Sequence, residues 1–509
     1  MNRSSNHKRI AGNTLMLYGR MLLVMLISLY TSRIVLAELG VEDYGIFNVV
    51  GAVVSMLSFV NASMVQATQR FMAYDLGRKD PERLSRTFRN ALFIHLCIGL
   101  LVLILAETIG LWFLNVEMNI PRQKMGAANW VFQCAVISYV LSIVRVPFIS
   151  AMIARERMRT YAMLGVIDVG LKLLAALSLT LVPDGKLKAY ALLMLAVSLG
   201  VTVIYVAHSR RSYPECRWGR PSDRVLFKDI SGFAVWSLVG SLTDVLKWQG
   251  CNVLLNIFFG PAVNAAYGIS VQVNGAVNGF VQNFTTALRP QIVKSYSSGD
   301  YEEMRRLMLE GSKFSFLLMS LLSFPLIMVA DPLIHFWLVD VPDYAVGFTR
   351  LVIIDSVIES LAPCMSAAIQ ATGRIKRYQL VIGGTRLLNL PIALLCLLAG
   401  CGPTVVFVIS IGVSLATIPE RIAIMKSLIP EFSTGKIIRR VFLPAFAIMS
   451  IYGAIFIASG SLPALFFMHR IVPGTPVALA IGGLVSYTIG LNSTERTLIC
   501  NLIKRRISA

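Results

Sequence analysis

Two carboxylates one helical turn apart, Asp355 and Glu359, lie in the middle of a long apolar run. Two acids so placed do not both ionise cheaply in a low dielectric, so one of them is expected to hold a proton unless a cation such as Arg386 pairs with it. That makes the pair an ion-coupling candidate. Asp244 and Lys247 are spaced i, i+3, and Asp168 and Lys172 i, i+4, in comparable runs. At those spacings each pair neutralises itself on one helix face. Charges at membrane depth cost several kcal/mol and face an interior, so each pair reads either as a structural ion pair or as part of a polar site. Arg20 and Arg33 are thirteen residues apart and point to different sides of one helix, each within snorkelling reach of an interface. Arg145 and Arg386, five to seven residues from the ends of their apolar runs, read as snorkelling side chains.

Amides and small residues form a second pattern. Asn48, Gly51, Ser55 and Ser58 share one helical face, and Gln272, Gly275, Gly279 and Gln282 share another. Asn274, Asn278 and Asn283 add polarity to the second stripe, and Asn252 lies in the preceding run. Such a stripe serves either close helix packing with interhelical hydrogen bonds or the wall of a water-filled cavity. Amide side chains suit sugar hydroxyls, and basic ones suit a pyrophosphate.

The elements that carry these residues follow from composition. With 56% hydrophobic and 15% charged residues, and a mean hydropathy of +0.69, the chain has too much apolar surface for one soluble globule. Windows of about 20 apolar residues, enough to cross roughly 30 Å of hydrocarbon, recur throughout. Fourteen spans are read at 14–36, 43–64, 91–115, 127–150, 161–182, 187–208, 234–257, 264–287, 313–336, 345–370, 379–400, 403–424, 441–460 and 476–495. The first is full length and lacks a small-residue cleavage site, so it is read as a span rather than a signal peptide. The chain is therefore read as an all-α polytopic membrane protein.

The net charge of +20 is not a nucleic-acid signal, because every second connection is basic. Arg78, Lys79, Arg83, Arg86 and Arg89 follow span 2, Arg155, Arg157 and Arg159 follow span 4, and Arg374, Lys376 and Arg377 follow span 10. The alternate connections hold few bases: Arg122, Lys124, Lys186, Lys188 and Arg470 are the exceptions. Both termini are accordingly expected in the cytoplasm, with membrane lipids touching the basic side.

An internal repeat organises the spans. Tyr74, Gly77 and Arg83 match Tyr296, Gly299 and Arg305 at one constant offset, and Tyr44, Gly45 and Ile46 match Tyr267, Gly268 and Ile269 at an offset one residue longer. VVGAVVSM at 49–56 matches VNGAVNGF at 273–280. Six spans separate the matched helices, an even number, so the halves run parallel, a known transporter plan with alternating access. The domains are read as a six-helix lobe with its linker (1–228), a second six-helix lobe (229–430) and two extra C-terminal helices with a basic tail (431–509).

LGVEDYGIFNVV followed by NASMVQATQRFMAYDLGRKD resembles the amino-terminal half of Wzx-type polysaccharide flippases. These belong to the multidrug, oligosaccharidyl-lipid and polysaccharide exporter (MOP) superfamily. The resemblance is loose over the whole chain; Leu39, Gly40, Tyr44, Gly45, Ala67, Gln69, Arg70 and Phe71 are its most specific residues. It implies export of undecaprenyl-pyrophosphate-linked oligosaccharide for O-antigen, capsule or exopolysaccharide across the bacterial inner membrane. It further implies a central cavity lined mainly by spans 1, 2, 7 and 8, with Arg20, Arg33 and Lys247 as its cations and Asp244 opposing Lys247. Asn48, Asn252, Gln272, Asn278 and Gln282 are its polar candidates. A polysaccharide polymerase and other assembly proteins are the implied partners.

Rival readings share the fold or differ in class. An ion-coupled multidrug exporter is disfavoured by the lack of an embedded acid in span 1, where only Glu38 stands at the outer end. A lipid II flippase also has fourteen spans. A membrane glycosyltransferase or polymerase needs a sizeable extramembrane loop, whereas the longest connections here are about two dozen residues. No GxxxxGK[ST] occurs, so no ATP hydrolysis is expected, nor any cofactor, metal or enzymatic activity. Cys97, Cys134, Cys251, Cys364 and Cys396 lack metal-ligand spacing and read as small core residues.

Overall fold

The computed structural model describes residues 3–55, 58–116, 122–217, 219, 223–259, 261–337, 341–429, 432–461, 469–492 and 495–497. The side chains of Arg33, Asn48 and Asp244 lie outside the described residues. The described chain is helical throughout, and eleven of its helices are long and apolar enough to cross a membrane. These are spans 3–7 and 9–14 of the sequence reading, making this a multi-pass membrane protein.

The chain forms two compact units, Met1–Leu242 with Val293–Gly299, and Thr243–Ile292 with Asp300–Ala509. The first holds α1 (Arg3–Ser55), α2 (Ser58–Arg78), α3 (Pro81–Leu105), α4 (Leu111–Val116), α5 (Met125–Ala154), α6 (Met158–Ser178) and α7 (Lys186–Ser212). Then α8 (Arg224–Phe259) and α9 (Pro261–Ser297) follow, each with residues in both units. The second unit continues with α10 (Tyr301–Met328), α11 (Ala330–Trp337), α12 (Ala345–Glu359), α13 (Ala362–Ala371), α14 (Lys376–Leu387) and α15 (Asn389–Leu398). It ends with α16 (Val405–Leu428), α17 (Thr434–Ile437), α18 (Leu443–Ser461) and α19 (Ile471–Val485).

Spans 1 and 2 run as one helical segment bent at Gly40, whose φ of 75° suits a residue without Cβ. Glu38 and Asp43 flank that bend and accept from Lys186 (2.8 Å) and Lys124 (2.7 Å). Two of the bases that break the alternating loop pattern are thereby matched by carboxylates. Span 10 is divided at Ser360 and Leu361, where Pro363 opens the second piece, and span 11 at Leu388.

The duplication is visible in the element starts. Pro81 and Tyr301 begin α3 and α10, and Met125 and Ala345 begin α5 and α12, both pairs at the same separation in the chain. The corners preceding α3 and α10 agree: Lys79 (φ 57°) and Gly299 (φ 78°) are left-handed, and Asp80 and Asp300 cap the next helix by accepting from the amides of Arg83 and Glu303. The cores repeat too. Ala128, Phe132 and Leu187 pack in one unit, and Phe348, Val352 and Val406, which keep that separation or fall one position short of it, pack in the other. The matches read from the sequence are thus displaced from the structural register by up to about one helical turn. A slip of three or four positions returns an α-helical side chain to nearly the same face, so a stripe of small and polar residues also matches itself out of register.

The linker after α7 is fastened to the first unit outside the membrane spans. Glu215 accepts two hydrogen bonds from Arg155 (2.6 and 2.9 Å), which holds the Arg155 guanidinium above its usual pKa. Asp223 accepts from Arg86 (3.4 Å), and burial pushes the Cys216 thiol up. In the second unit α18 and α19 pack on α10. Phe324 stacks on Tyr452 at 4.1 Å, the Tyr452 hydroxyl donates to Gly482 O, and Lys313 pairs with Glu495 at 2.5 Å.

Candidate functional site

The second unit contains a connected network of buried charges at the junction of α8, α12, α14 and α16. Lys247 and Asp355, 4% and 3% exposed, form an ion pair at 3.1 Å. Ser410 donates to Asp355 Oδ2 (3.0 Å), and the Ser414 hydroxyl lies between Asp355 Oδ1 (2.5 Å) and Glu359 Oε1 (3.1 Å). Glu359 accepts from Arg386 at 2.5 Å, with Arg421 Nη2 at 3.7 Å from the same oxygen. Arg421 then donates to the Tyr378 hydroxyl (2.5 Å) and to Ser366 (3.2 Å). Each acid thus has its own cation within the network.

These contacts redistribute the roles expected of the residues. Lys247 reaches Asp355, far along the chain, across the helix interface. Arg386 does not snorkel: it turns inward to Glu359, because a buried carboxylate offers more than the interface does. Arg145 lies over the Tyr205 ring at 5.6 Å, near the basic end of α7. Asp168 and Lys172 form their own pair at 3.0 Å, as their spacing predicts.

Two small cavities border the network. One is lined by Lys247, Trp248, Cys251, Tyr267, Asp355 and Ser410 among others, the second by Glu359, Met365, Ser414, Thr417, Arg421 and their neighbours. Ser410, Ser414, Thr417 and Arg421, absent from the sequence reading, are spaced by three or four residues on α16. That periodicity was available in the sequence, whereas the reach of Tyr378 and Ser366 to Arg421 has no local signal.

The amide stripe of α9 divides between interior and surface. Asn274 is buried and Asn278 donates to Ser356 (3.4 Å), while Gln272, Gly275 and Gln282 are exposed on one face. Asn252 on α8 is half-buried. In the first unit Arg20 stacks on the Tyr161 ring at 4.4 Å and lies against Gly165, where a Cβ would come within 2.3 Å of its Nε. The Nε of Arg20 is buried and donates to no described acceptor. No group of three or more acids, histidines or cysteines placed to hold a metal occurs among the described residues.

Comparison with known proteins places this architecture. Residues 250–395, from α8 to α15, match the MatE family. Among curated proteins, the uncharacterized membrane protein EpsK of Bacillus subtilis (strain 168) is 21% identical over 320 residues, 62% of this chain and 63% of that protein. The match therefore spans under two thirds of that relative's length. Among solved structures, an outward-facing multidrug resistance MATE family transporter of the MOP superfamily has a TM-score of 0.71 at 13% identity, covering 84% of this chain and 97% of its own. A MOP superfamily transporter from Pyrococcus furiosus Vc1 (DSM3638), described as having a binding pocket of reverse polarity that suggests a different function, has a TM-score of 0.69 at 14% identity, covering 83% and 96%. The chain has the MATE transporter fold, and its segment 250–395 carries the sequence pattern of the MatE family.

Proposed function

We propose that this protein is an inner-membrane flippase that moves a lipid-linked oligosaccharide, joined through pyrophosphate to undecaprenol, by alternating access of its two units. The observation that carries the reading is the polarity of α9. Gln272, Gly275 and Gln282 are exposed on one face of a helix of spanning length, where lipid contact is costly and a hydrated, sugar-binding wall is not. The charge balance supports it. The carboxylates Asp355 and Glu359 are committed to Lys247, Arg386 and Arg421, so neither of these two acids stands ready to attract a cationic drug. Under this reading Asn48, Asn252 and Asn278 join the two glutamines in binding sugar, Arg20 and Arg33 supply positive charge, and Lys247 with Asp355 and Glu359 couples conformation to charge. Both termini lie in the cytoplasm, and the exported unit passes to a polymerase.

A second reading, ion-coupled multidrug export, is favoured by the solved multidrug resistance transporter of the same fold. The test is complementation of a bacterial strain that lacks its own flippase and makes a matching surface polysaccharide. Restored surface polymer, lost in the Gln272→Leu/Gln282→Leu variant at equal membrane abundance, is the expected result. Precursor retained inside together with gained resistance to cationic drugs replaces the flippase reading with the multidrug one.

A further inference from the structure

Two thiols come together at the end of α15, and one glycine puts them there. The helix closes on Ala399, Gly400 follows at φ 85°, and the next residue is Cys401. The Gly400 amide donates to Leu397 O (3.0 Å), and the Cys401 amide reaches back to Cys396 O (3.1 Å). These two nested bonds around a left-handed glycine form the helix stop in which the side chains of the third residue from the end and the second beyond the cap lie side by side. That contact is ordinarily apolar. Here both positions are cysteine. Ordinary backbone dimensions across the 3.1 Å bond hold the Cα atoms of Cys396 and Cys401 under about 7 Å, within the reach of a disulfide.

Both thiols are free, and both belong to the second unit. Cys396 is half-buried rather than the core residue its apolar run suggests, and Cys401 is exposed. No other described cysteine shares a helix or a turn with a second one. The span Lys376–Leu398 separates this corner from the basic connection that carries Arg374, Lys376 and Arg377. Under the topology proposed above, the corner faces the outer compartment, where disulfides persist. The first unit fastens its matching corner, between α6 and α7, differently: Lys186 pairs with Glu38 at 2.8 Å. With α7 and α16 aligned on their first residues, Val405 stands in the place of Lys186, so that tie is missing from the second unit.

We propose that Cys396 and Cys401 are a modification site, a dithiol that a disulfide donor of the outer compartment oxidises to an intramolecular disulfide closing the end of α15. Cys401, the exposed thiol, attacks one sulfur of the donor as its thiolate; a mixed disulfide forms and one donor thiol leaves. Cys396 Sγ then attacks Cys401 Sγ, the Cys396–Cys401 bond forms, and the second donor thiol leaves. Two electrons pass to the donor, and the protons of the two cysteines end on its two thiols. The bond fastens the corner between α15 and α16 as the ion pair fastens its counterpart. The inference is independent of what the protein transports and depends on the side of the membrane.

The experiment is mass spectrometry of the full chain produced in a bacterial inner membrane. Intact cells are quenched in acid, and the protein is denatured, alkylated with N-ethylmaleimide and cleaved with trypsin. The peptide from Leu387 to Arg421 holds both cysteines and no other. It should carry no alkyl group and be lighter than the dithiol by two hydrogen atoms, whereas reduction before alkylation should add two groups. Purified, reduced protein should reach the same state with glutathione disulfide. Gly400→Ala should slow that closure about tenfold, since a Cβ disfavours the left-handed conformation that brings the thiols together. Two alkylated thiols in cells, or a glutathione adduct on Cys401 that Cys396 does not resolve, overturn the proposal, and neither result requires a variant to fold. Cys396→Ser separates the causes of such a failure. Labelling of its Cys401 by a membrane-impermeant maleimide in intact cells refutes the pairing, and labelling only in broken cells refutes the topology on which it rests.

Discussion

Replacing Lys247 by methionine tests the charge network most directly. The substitution keeps the apolar stem and deletes the ammonium, leaving Asp355, 3% exposed, with the Ser410 and Ser414 hydroxyls as its partners among the described residues. Removing one partner of a buried ion pair costs about 3–5 kcal/mol, because the remaining charge has lost both water and its counter-ion. For a unit of this size each kcal/mol is roughly 2–4 °C of melting temperature, so a fall of about 6–20 °C is expected. Lys247→Met/Asp355→Leu removes both charges, and an apolar pair of similar volume is close to neutral. Ser414 keeps Glu359 as an acceptor and Ser410 can turn to its own helix, so the double variant should recover most of the loss. The assay is thermal unfolding of purified protein by intrinsic fluorescence at one fixed scan rate, since membrane proteins often unfold irreversibly. A single variant that melts within about 2 °C of wild type, less than one kcal/mol on that scale, refutes the argument that Lys247 is the buried partner that stabilises Asp355. So does a double variant no better than the single. Transport in the double variant separates roles: restored stability with lost transport marks the pair as part of the coupling machinery.

Two other outcomes follow from single contacts. Gly77→Ala should destabilise the corner between α2 and α3 by about 1–3 kcal/mol, because the new Cβ falls 1.8 Å from Ser297 Oγ and 2.6 Å from the Lys294 carbonyl, which is backbone and cannot turn away; size-exclusion profiles and melting temperature check it, and a neutral result means the end of α9 does not dock there. In the Cys396→Ser variant, Cys401, exposed between α15 and α16, should react with a membrane-impermeant maleimide added outside intact cells, whereas the buried Cys216, whose raised pKa keeps it a thiol, should react only after denaturation. Labelling of Cys401 only in broken cells reverses the proposed topology.

The sequence alone determined the solvent, the helical class and the doubled plan. Bilayer thickness makes a span readable from some twenty consecutive residues, and that information is local. The same holds for the i, i+4 pair Asp168 and Lys172, whose helix brings them together wherever it packs. Tertiary structure decided which charges meet. Lys247 met Asp355 of α12, Arg386 met Glu359 instead of the membrane surface, and Ser414 came to lie between two acids. Such partners are set by helix rotation and register, which a one-residue change turns by about 100° and which no local pattern records. The repeat register was legible only approximately, because polar stripes match themselves one turn out of step, and the caps at Asp80 and Asp300 fixed it. With that register known, Ala135 and Tyr139 of the first unit are seen to stand where the second unit has Asp355 and Glu359.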